Sequence, residues 1–226
     1  MESYIIFNNR SSLDFDIVID EEWLPPVAIA EDELDLITVP GRDGVLTINK
    51  GRKEPIYKLI SGILLNENRK MEVLKWLKGN GELILSNDPG VFYKSKIVGQ
   101  IDYKYHWNSG WMFEINMLCE PYAYLSSGGD PVEIIAKNTK VNNPADKSKP
   151  LIKIYGNGPV DLIINSNIHK FNIDGHVVID SELMECYKGS ELRTFTGLFP
   201  ELLPGNNNIS WNGTVTGLEV IPRWRR

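Results

Sequence analysis

Only one stretch of this chain, NENRKMEVLKWLKGNG at 66–81, has the spacing and composition of a helix. Nearly everything around it is short apolar runs rich in Ile, Val and Tyr, punctuated by Asn, Asp, Gly and Pro. YIIFNN, DIVID, VLTIN and YKLISGILLN come before the helix; VEIIA, LIKIYG, VDLIIN, HKFNID, HVVID, LMECY, NISWN and LEVIP come later. Runs of this length between turn residues read as strands, so the chain is mainly β. The stretch GWMFEINMLCE alternates strictly, which places Trp111, Phe113, Ile115, Met117 and Cys119 on one face of a half-buried strand. Asp43-Gly44, between LITVP and VLTI, supplies the positive φ angles of a tight hairpin turn.

The helix is expected over 68–79. Asn66 or Asn68 caps its start, Met71, Leu74 and Leu77 form its apolar face with Trp76 beside them, and Gly79 is its stop. Lys70, Lys75 and Lys78 make a solvated outer face. At 226 residues the chain is longer than one usual core requires, so two domains are expected. Small residues and a proline in LSSGGDP mark a flexible linker, with the boundary near residue 129. Residues 1–129 form an N-terminal β-rich domain carrying the helix. Residues 130–226, with about eight runs spaced by roughly 8–12 residues, form a C-terminal β-sandwich or jelly roll. Within it the polar segment from Asn138 to Pro150 reads as a mobile tip.

Near the C-terminus, FPELLPGNNNISWNG at 199–213 reads as a rigid corner. Pro200 and Pro204 restrict φ, Leu202 and Leu203 plug the core, and Pro204-Gly205 suits a type II turn. Asn212-Gly213 is then expected to turn the chain into a closing hairpin with Ile209 and Trp211 on its inner face. That makes Trp211 a core residue, ahead of a sugar-stacking role for it or for Trp224. Cys119 and Cys186 lie in different halves and read as two buried thiols.

Enzyme chemistry is missing from the sequence. Its histidines, His106, His169 and His176, form no HxxxH or HxH pattern, and no CxxC occurs, so neither a catalytic nor a structural metal is expected. Asp174 and His176 lack a nucleophile at hand and read as a turn entering a strand. The acidic residues Asp14, Asp16, Asp20, Glu21 and Glu22 with the band EDELD at 31–35 are the one cluster that could supply the paired carboxylates of a glycosidase; EDELD lacks the glycine bend of a calcium loop and reads as a solvated loop. PGRDG lacks the spacer and Lys-Ser/Thr of a phosphate loop and reads as a β-turn. A net charge of −6 argues against binding driven by bulk attraction to nucleic acid or an anionic membrane. No run is long and apolar enough to span a bilayer, and the N-terminal residues lack the pattern of a signal peptide, so a soluble protein made in a cytosol is expected. No catalytic, cofactor or metal residues are therefore assigned.

The order FPELLPGNNNISW, a short hairpin, then VIPRWRR resembles the C-terminus of siphophage distal tail proteins (Dit-like), the baseplate hub components of long-tailed phages. VPGRDG at 39–44, YKLISGILL, KMEVLKWLKG and GELILSNDPGVFYKSKIVGQID extend the resemblance over nearly the whole chain. The resemblance implies a structural virion protein, made in the host cytoplasm and located at the tail tip. Its N-terminal domain would form a hexameric ring, and its C-terminal domain would be a galectin-like β-sandwich. The implied partners are further copies of itself, the tail tube protein, a tail hub or tail-associated lysin, and receptor-binding proteins, with DNA only as cargo through the lumen. The arm Trp23 to Gly41, too apolar for a free loop and too charged for a core strand, is the expected ring contact. The competing reading is a carbohydrate-binding β-sandwich module or a glycan hydrolase.

Overall fold

The structure is a computed structural model that describes residues 2–107 and 110–226. The chain divides into two compact units, Met1–Ala123 and Tyr124–Arg226.

In the first unit the strands are β1 (Ile5–Phe7), β2 (Arg10–Ser11), β3 (Ile17–Val18), β4 (Asp32–Thr38), β5 (Val45–Lys53), β6 (Ile56–Leu64), β7 (Asn80–Leu85), β8 (Val91–Val98), β9 (Tyr103–His106) and all but the last two residues of β10 (Gly110–Leu125), with helix α1 (Lys70–Trp76). One sheet runs β2-β1-β7-β8-β10-β6-β3, with β9 also on β10. β10 carries the expected alternation: Phe113, Ile115, Met117 and Cys119 are buried, while Trp111 is only half-buried, under the Lys70 ammonium. Opposite them on β6, Ile60 and Leu64 fill the same core, and so does Lys58, which no sequence pattern marked. The Lys58 ammonium lies 4.4 Å from the Tyr93 ring centre and donates to the Pro26 carbonyl at 3.2 Å.

The helix is shorter than 68–79 and turns a different face inward. Asn66 caps a 3-10 turn, Glu67–Arg69, that leads into only two turns of α-helix. Val73, Trp76 and Leu77 are buried, whereas Met71 is 65% exposed. Trp76 decides the orientation: its ring stacks on Phe15 at 4.5 Å, and its indole N–H donates to the Phe7 carbonyl at 2.8 Å. A large aromatic with a satisfied polar edge outweighs an exposed Met at so short a contact.

In the second unit the strands are β11 (Val132–Glu133), β12 (Thr139–Asn143), β13 (Leu151–Ile164), β14 (Asn167–Asp180), β15 (Glu185–Lys188), β16 (Glu191–Leu192), β17 (Phe195–Thr196) and β18 (Gly205–Ile221). Their order is β11-β18-β13-β14-β15-β16, with β12 on β18 and β17 on β14. Six of the expected short runs fuse in pairs into three long strands. LIKIYG and VDLIIN are β13, HKFNID and HVVID are β14, and NISWN and LEVIP are β18. The Asn212-Gly213 pair is accordingly no hairpin turn. β18 passes straight through it while its register against β13 shifts between Asn157 and Asp161. Gly213 has φ +96, and a Cβ there would strike the Pro159 carbonyl, so the glycine permits a bulge that bends the strand. Residues from both halves of each long strand, including Ile152, Leu162, Ile173, Ile179, Ile209, Trp211 and Val220, meet in one core. The long strands thus contribute to one core from both of their halves.

Two segments expected to be loose are tied down. LSSGGDP begins the second unit as a 3-10 turn, Ser126–Gly129, whose Gly128 is buried against the Trp224 backbone. The Gly128 carbonyl accepts from Arg223 N–H at 2.8 Å, and Leu125 N–H donates to Trp224 O at 2.8 Å. The division between units therefore falls ahead of the expected boundary near 129. Between Asn138 and Pro150, β12 pairs with β18, and buried Ser148 donates to the Pro222 carbonyl at 2.8 Å. The chain end holds both segments, a long-range effect invisible in local composition.

The corner at 199–208 forms as expected in part. Gly205 has φ +84, Leu202 is fully buried, and Trp211 and Ile209 are core; Leu203, however, is 48% exposed. The middle asparagine explains the polar run. Asn207 is fully buried; its Oδ1 accepts from Leu203 N–H at 2.8 Å, and its amide donates to the Leu203 and Gly205 carbonyls at 2.8 and 3.0 Å.

Candidate assembly surface

EDELD is neither a loop nor a metal cluster. It opens β4, which pairs with β5 as an isolated two-stranded ribbon. The hairpin forms as expected, but Asp43-Gly44 is not its tight turn: Thr38 pairs with Val45 across a six-residue tip, 39–44, in which Arg42 N–H donates to the Val39 carbonyl.

The register sorts the ribbon's side chains by face. Leu34, Leu36 and Val45 share one face; Ile37, Leu46 and Ile48 share the other. Each of these six is at least 40% exposed, and Leu36 reaches 64%. Two strands alone are marginal in water. Here charge reinforces the base of the ribbon. Glu33 accepts from Arg52 and from Lys50, the latter at 3.0 Å; Lys50 also reaches Asp35 at 2.8 Å, and Lys53 reaches Asp32 at 3.4 Å. The hydrogen bonds from Arg52 and then Lys50 lower the Glu33 carboxyl to about 2. A contiguous apolar ribbon with a charged root is the composition of an interaction surface.

The part of the arm before the ribbon is fixed differently. Pro25 and Pro26 present carbonyls to the Asn87 amide, at 3.0 Å, and to Lys58.

The remaining sequence candidates are dispersed. Asp14 accepts from Ser11 N–H at 2.9 Å and Asp20 from Glu22 N–H at 3.1 Å, both as caps of 3-10 turns; Asp16 pairs with Arg69 at 3.1 Å. His106 is exposed on β9. Asp174 and His176 lie within β14, where Asp174 pairs with Lys188 at 3.2 Å and His176 faces the Tyr155 ring, so DGH is strand interior and not a turn into one. His169 is buried, its Nδ1 2.6 Å from the Leu198 carbonyl. Trp211 and Trp224 are both buried. Cys119 and Cys186 are free and buried, and burial pushes each thiol up to about 11, which leaves no thiolate nucleophile at neutral pH. Among the described residues, no group of three or more His, Cys, Asp or Glu side chains is placed to hold a metal ion, and no helix is long and apolar enough to cross a membrane.

No family model matches the chain, and no curated protein sequence matches it. In fold it is similar to a solved crystal structure, that of the SPP1 Dit (gp 19.1) protein, described there as a paradigm of hub adsorption apparatus in Gram-positive infecting phages. The TM-score is 0.73, over 97% of this chain and 98% of that one, at 12% sequence identity.

Proposed function

We propose that this chain is a structural, non-catalytic hub protein of a phage or prophage tail tip, and that its first unit assembles into a hexameric ring. The observation that carries this reading is the likeness in fold to the SPP1 Dit protein, which takes in essentially the full length of both chains and hence both units. An assembly hub needs no reaction centre, in keeping with the dispersal of the acidic and histidine candidates into caps, ion pairs and core.

The ribbon β4–β5 supplies the ring contact. A closed ring requires two different patches on every subunit, and a stable contact buries on the order of 1,200–2,000 Å² in total. The apolar faces of the ribbon are one patch of the necessary character, since covering them removes from water the side chains that its own unit leaves exposed. The ring then joins the tail tube protein on one side and a tail hub or tail-associated lysin on the other, with receptor-binding proteins attached and DNA passing as cargo. The protein resides in the virion after synthesis in the host cytoplasm, and its second unit is a galectin-like sandwich.

Native mass spectrometry and negative-stain imaging of the full chain test the reading. Six-membered rings are expected for wild type. L36E and I48E, one substitution on each ribbon face, are expected to give monomers with an unchanged circular dichroism spectrum, because both positions already face solvent within the subunit. Rings that survive both substitutions would move the contact elsewhere; a wild-type monomer at every concentration would remove the hub reading.

A further inference from the structure

Strand β6 has one open side. Its register with β10 runs without a shift from Ile56 to Leu64, whereas β3 pairs only with Ile63 and Leu64. Leu65 N–H donates to the Asp16 carbonyl on the β3 side. Backbone groups alternate sides along an antiparallel strand, so the odd-numbered residues of β6 turn their N–H and C=O groups to that side. Tyr57, Leu59 and Ser61 therefore aim these groups away from β10, and among the described residues none of them has a hydrogen-bond partner there. The side chains of the same residues point away from the core that takes Lys58 and Ile60: Tyr57 is 71% exposed and Leu59 50%.

Native sheets blunt such an edge with proline, an outward lysine, a bulge, or an inward charge that pairing would bury. The β6 sequence, IYKLISGIL, contains no proline and no outward lysine, and its unshifted register rules out a bulge. Lys58 does point inward, but it guards nothing, because its ammonium is already buried and donates to the Pro26 carbonyl. An unguarded edge beside an exposed Tyr and Leu has the character of a site for strand addition.

We propose that a second copy of the chain covers this edge: β5 of the neighbouring subunit's ribbon adds to β6 and continues the sheet across the subunit boundary. The inference rests on the ring reading and supplies the second of the two patches that a head-to-tail contact needs. The ribbon fits because its two strands pair only with each other, which leaves a free edge on each. Charge selects β5 over β4. The 3-10 turn Glu21–Trp23 lies against β6, and its Glu21 and Glu22 carboxylates form no ion pair among the described residues. β5 brings Lys50, Arg52 and Lys53 with no carboxylate, and the Arg52 side chain stays 69% exposed beyond its pair with Glu33. β4 carries Asp32, Glu33 and Asp35 and would set acid against acid.

The test alters Leu59 in the full chain. L59P deletes the edge N–H and, because that N–H points away from β10, keeps the ladder between β6 and β10. L59K instead adds the lysine that guards natural edges. Both should give monomers by native mass spectrometry, with the circular dichroism of wild type, under conditions where wild type forms rings. Mixing L59P with L36E should produce heterodimers that cannot close, since each variant keeps the patch that the other lacks. Hydrogen exchange resolved to single amides adds a second measure. Tyr57 and Leu59 should exchange about tenfold more slowly in the wild-type ring than in the L36E monomer, while Lys58 and Ile60, whose amides point at β10, are protected in both. Rings formed by either Leu59 variant, a mixture that stays monomeric, or edge amides that exchange equally fast in ring and monomer would overturn the edge assignment and leave the ring reading standing. A wild-type monomer at every concentration would overturn both.

Discussion

Replacing Arg223 with Ala should remove the fork that holds a buried carboxylate at the chain end. The Asp180 carboxylate is almost fully buried and accepts from Arg223 twice, Nη1 to Oδ1 at 2.7 Å and Nη2 to Oδ2 at 2.9 Å. The N–H groups of Glu182 and Leu183 donate only to Oδ1, at 2.9 and 3.1 Å. Without the guanidinium, Oδ2 loses the Arg223 bond and a buried charge is left uncompensated. Two charge-assisted hydrogen bonds are worth about 1.5–3 kcal/mol each, and orphaning one partner of a buried pair costs about 3–5 kcal/mol. Arg223 is itself 23% exposed at the side chain, so water replaces part of the loss and about 3 kcal/mol is expected. For a unit of this size that lowers the melting temperature by roughly 4–8 °C per kcal/mol. The effect should depend on pH. Burial pushes the Asp180 carboxyl up, but the Arg223 fork and the two N–H groups outweigh it and hold the group below its ordinary 3.8. The pair therefore stabilises wild type above that value, and the contribution is lost as pH falls through the depressed native one. In R223A burial is no longer opposed by the guanidinium, and protonation relieves the variant first. The gap between the proteins, read by urea denaturation with tryptophan fluorescence, should narrow from pH 7 towards pH 3.5, and D180N should restore part of the loss in R223A. A loss below 1 kcal/mol, or a gap indifferent to pH, would refute the reasoning.

Lys58 gives a pH dependence of the same direction, from a charge that burial disfavours. Burial holds its ammonium below the ordinary 10.5, so the unfolded chain keeps a proton that the folded chain sheds; wild-type stability relative to K58M should rise as pH climbs towards 10.5, by paired urea titrations at pH 7 and 9.5. At pH 7 K58M should lie within about 1 kcal/mol of wild type or above it, since an apolar replacement removes a desolvated charge. W211A should destabilise the second unit by about 3–5 kcal/mol, measured by thermal melting, because its ring is 7% exposed within the core. Limited proteolysis of the subunit should cut first in the exposed ribbon tip at 39–44 and spare 125–131, with fragment masses read by mass spectrometry.

The β class, the inner face of β10, the two buried thiols and the core role of Trp211 were legible in the sequence, because each depends on local alternation or on the size and polarity of one side chain. What local signals could not carry was partnership. Asn212-Gly213 has the chemistry of a turn, and only the closeness of the Pro159 carbonyl makes it a bend within one strand. LSSGGDP has the composition of a linker, and only the hydrogen bonds from the returning C-terminus make it structure. Met71 sits at the right spacing for an apolar face, but the Phe15 ring, far from it in sequence, turns Trp76 inward instead. The partner of His169 was likewise beyond sequence reasoning, since the carbonyl that meets its Nδ1, that of Leu198, lies 29 residues away. Alternation along a strand reports which way a side chain points; what it meets there is set by chain returning from tens of residues away, and tertiary structure alone decides that.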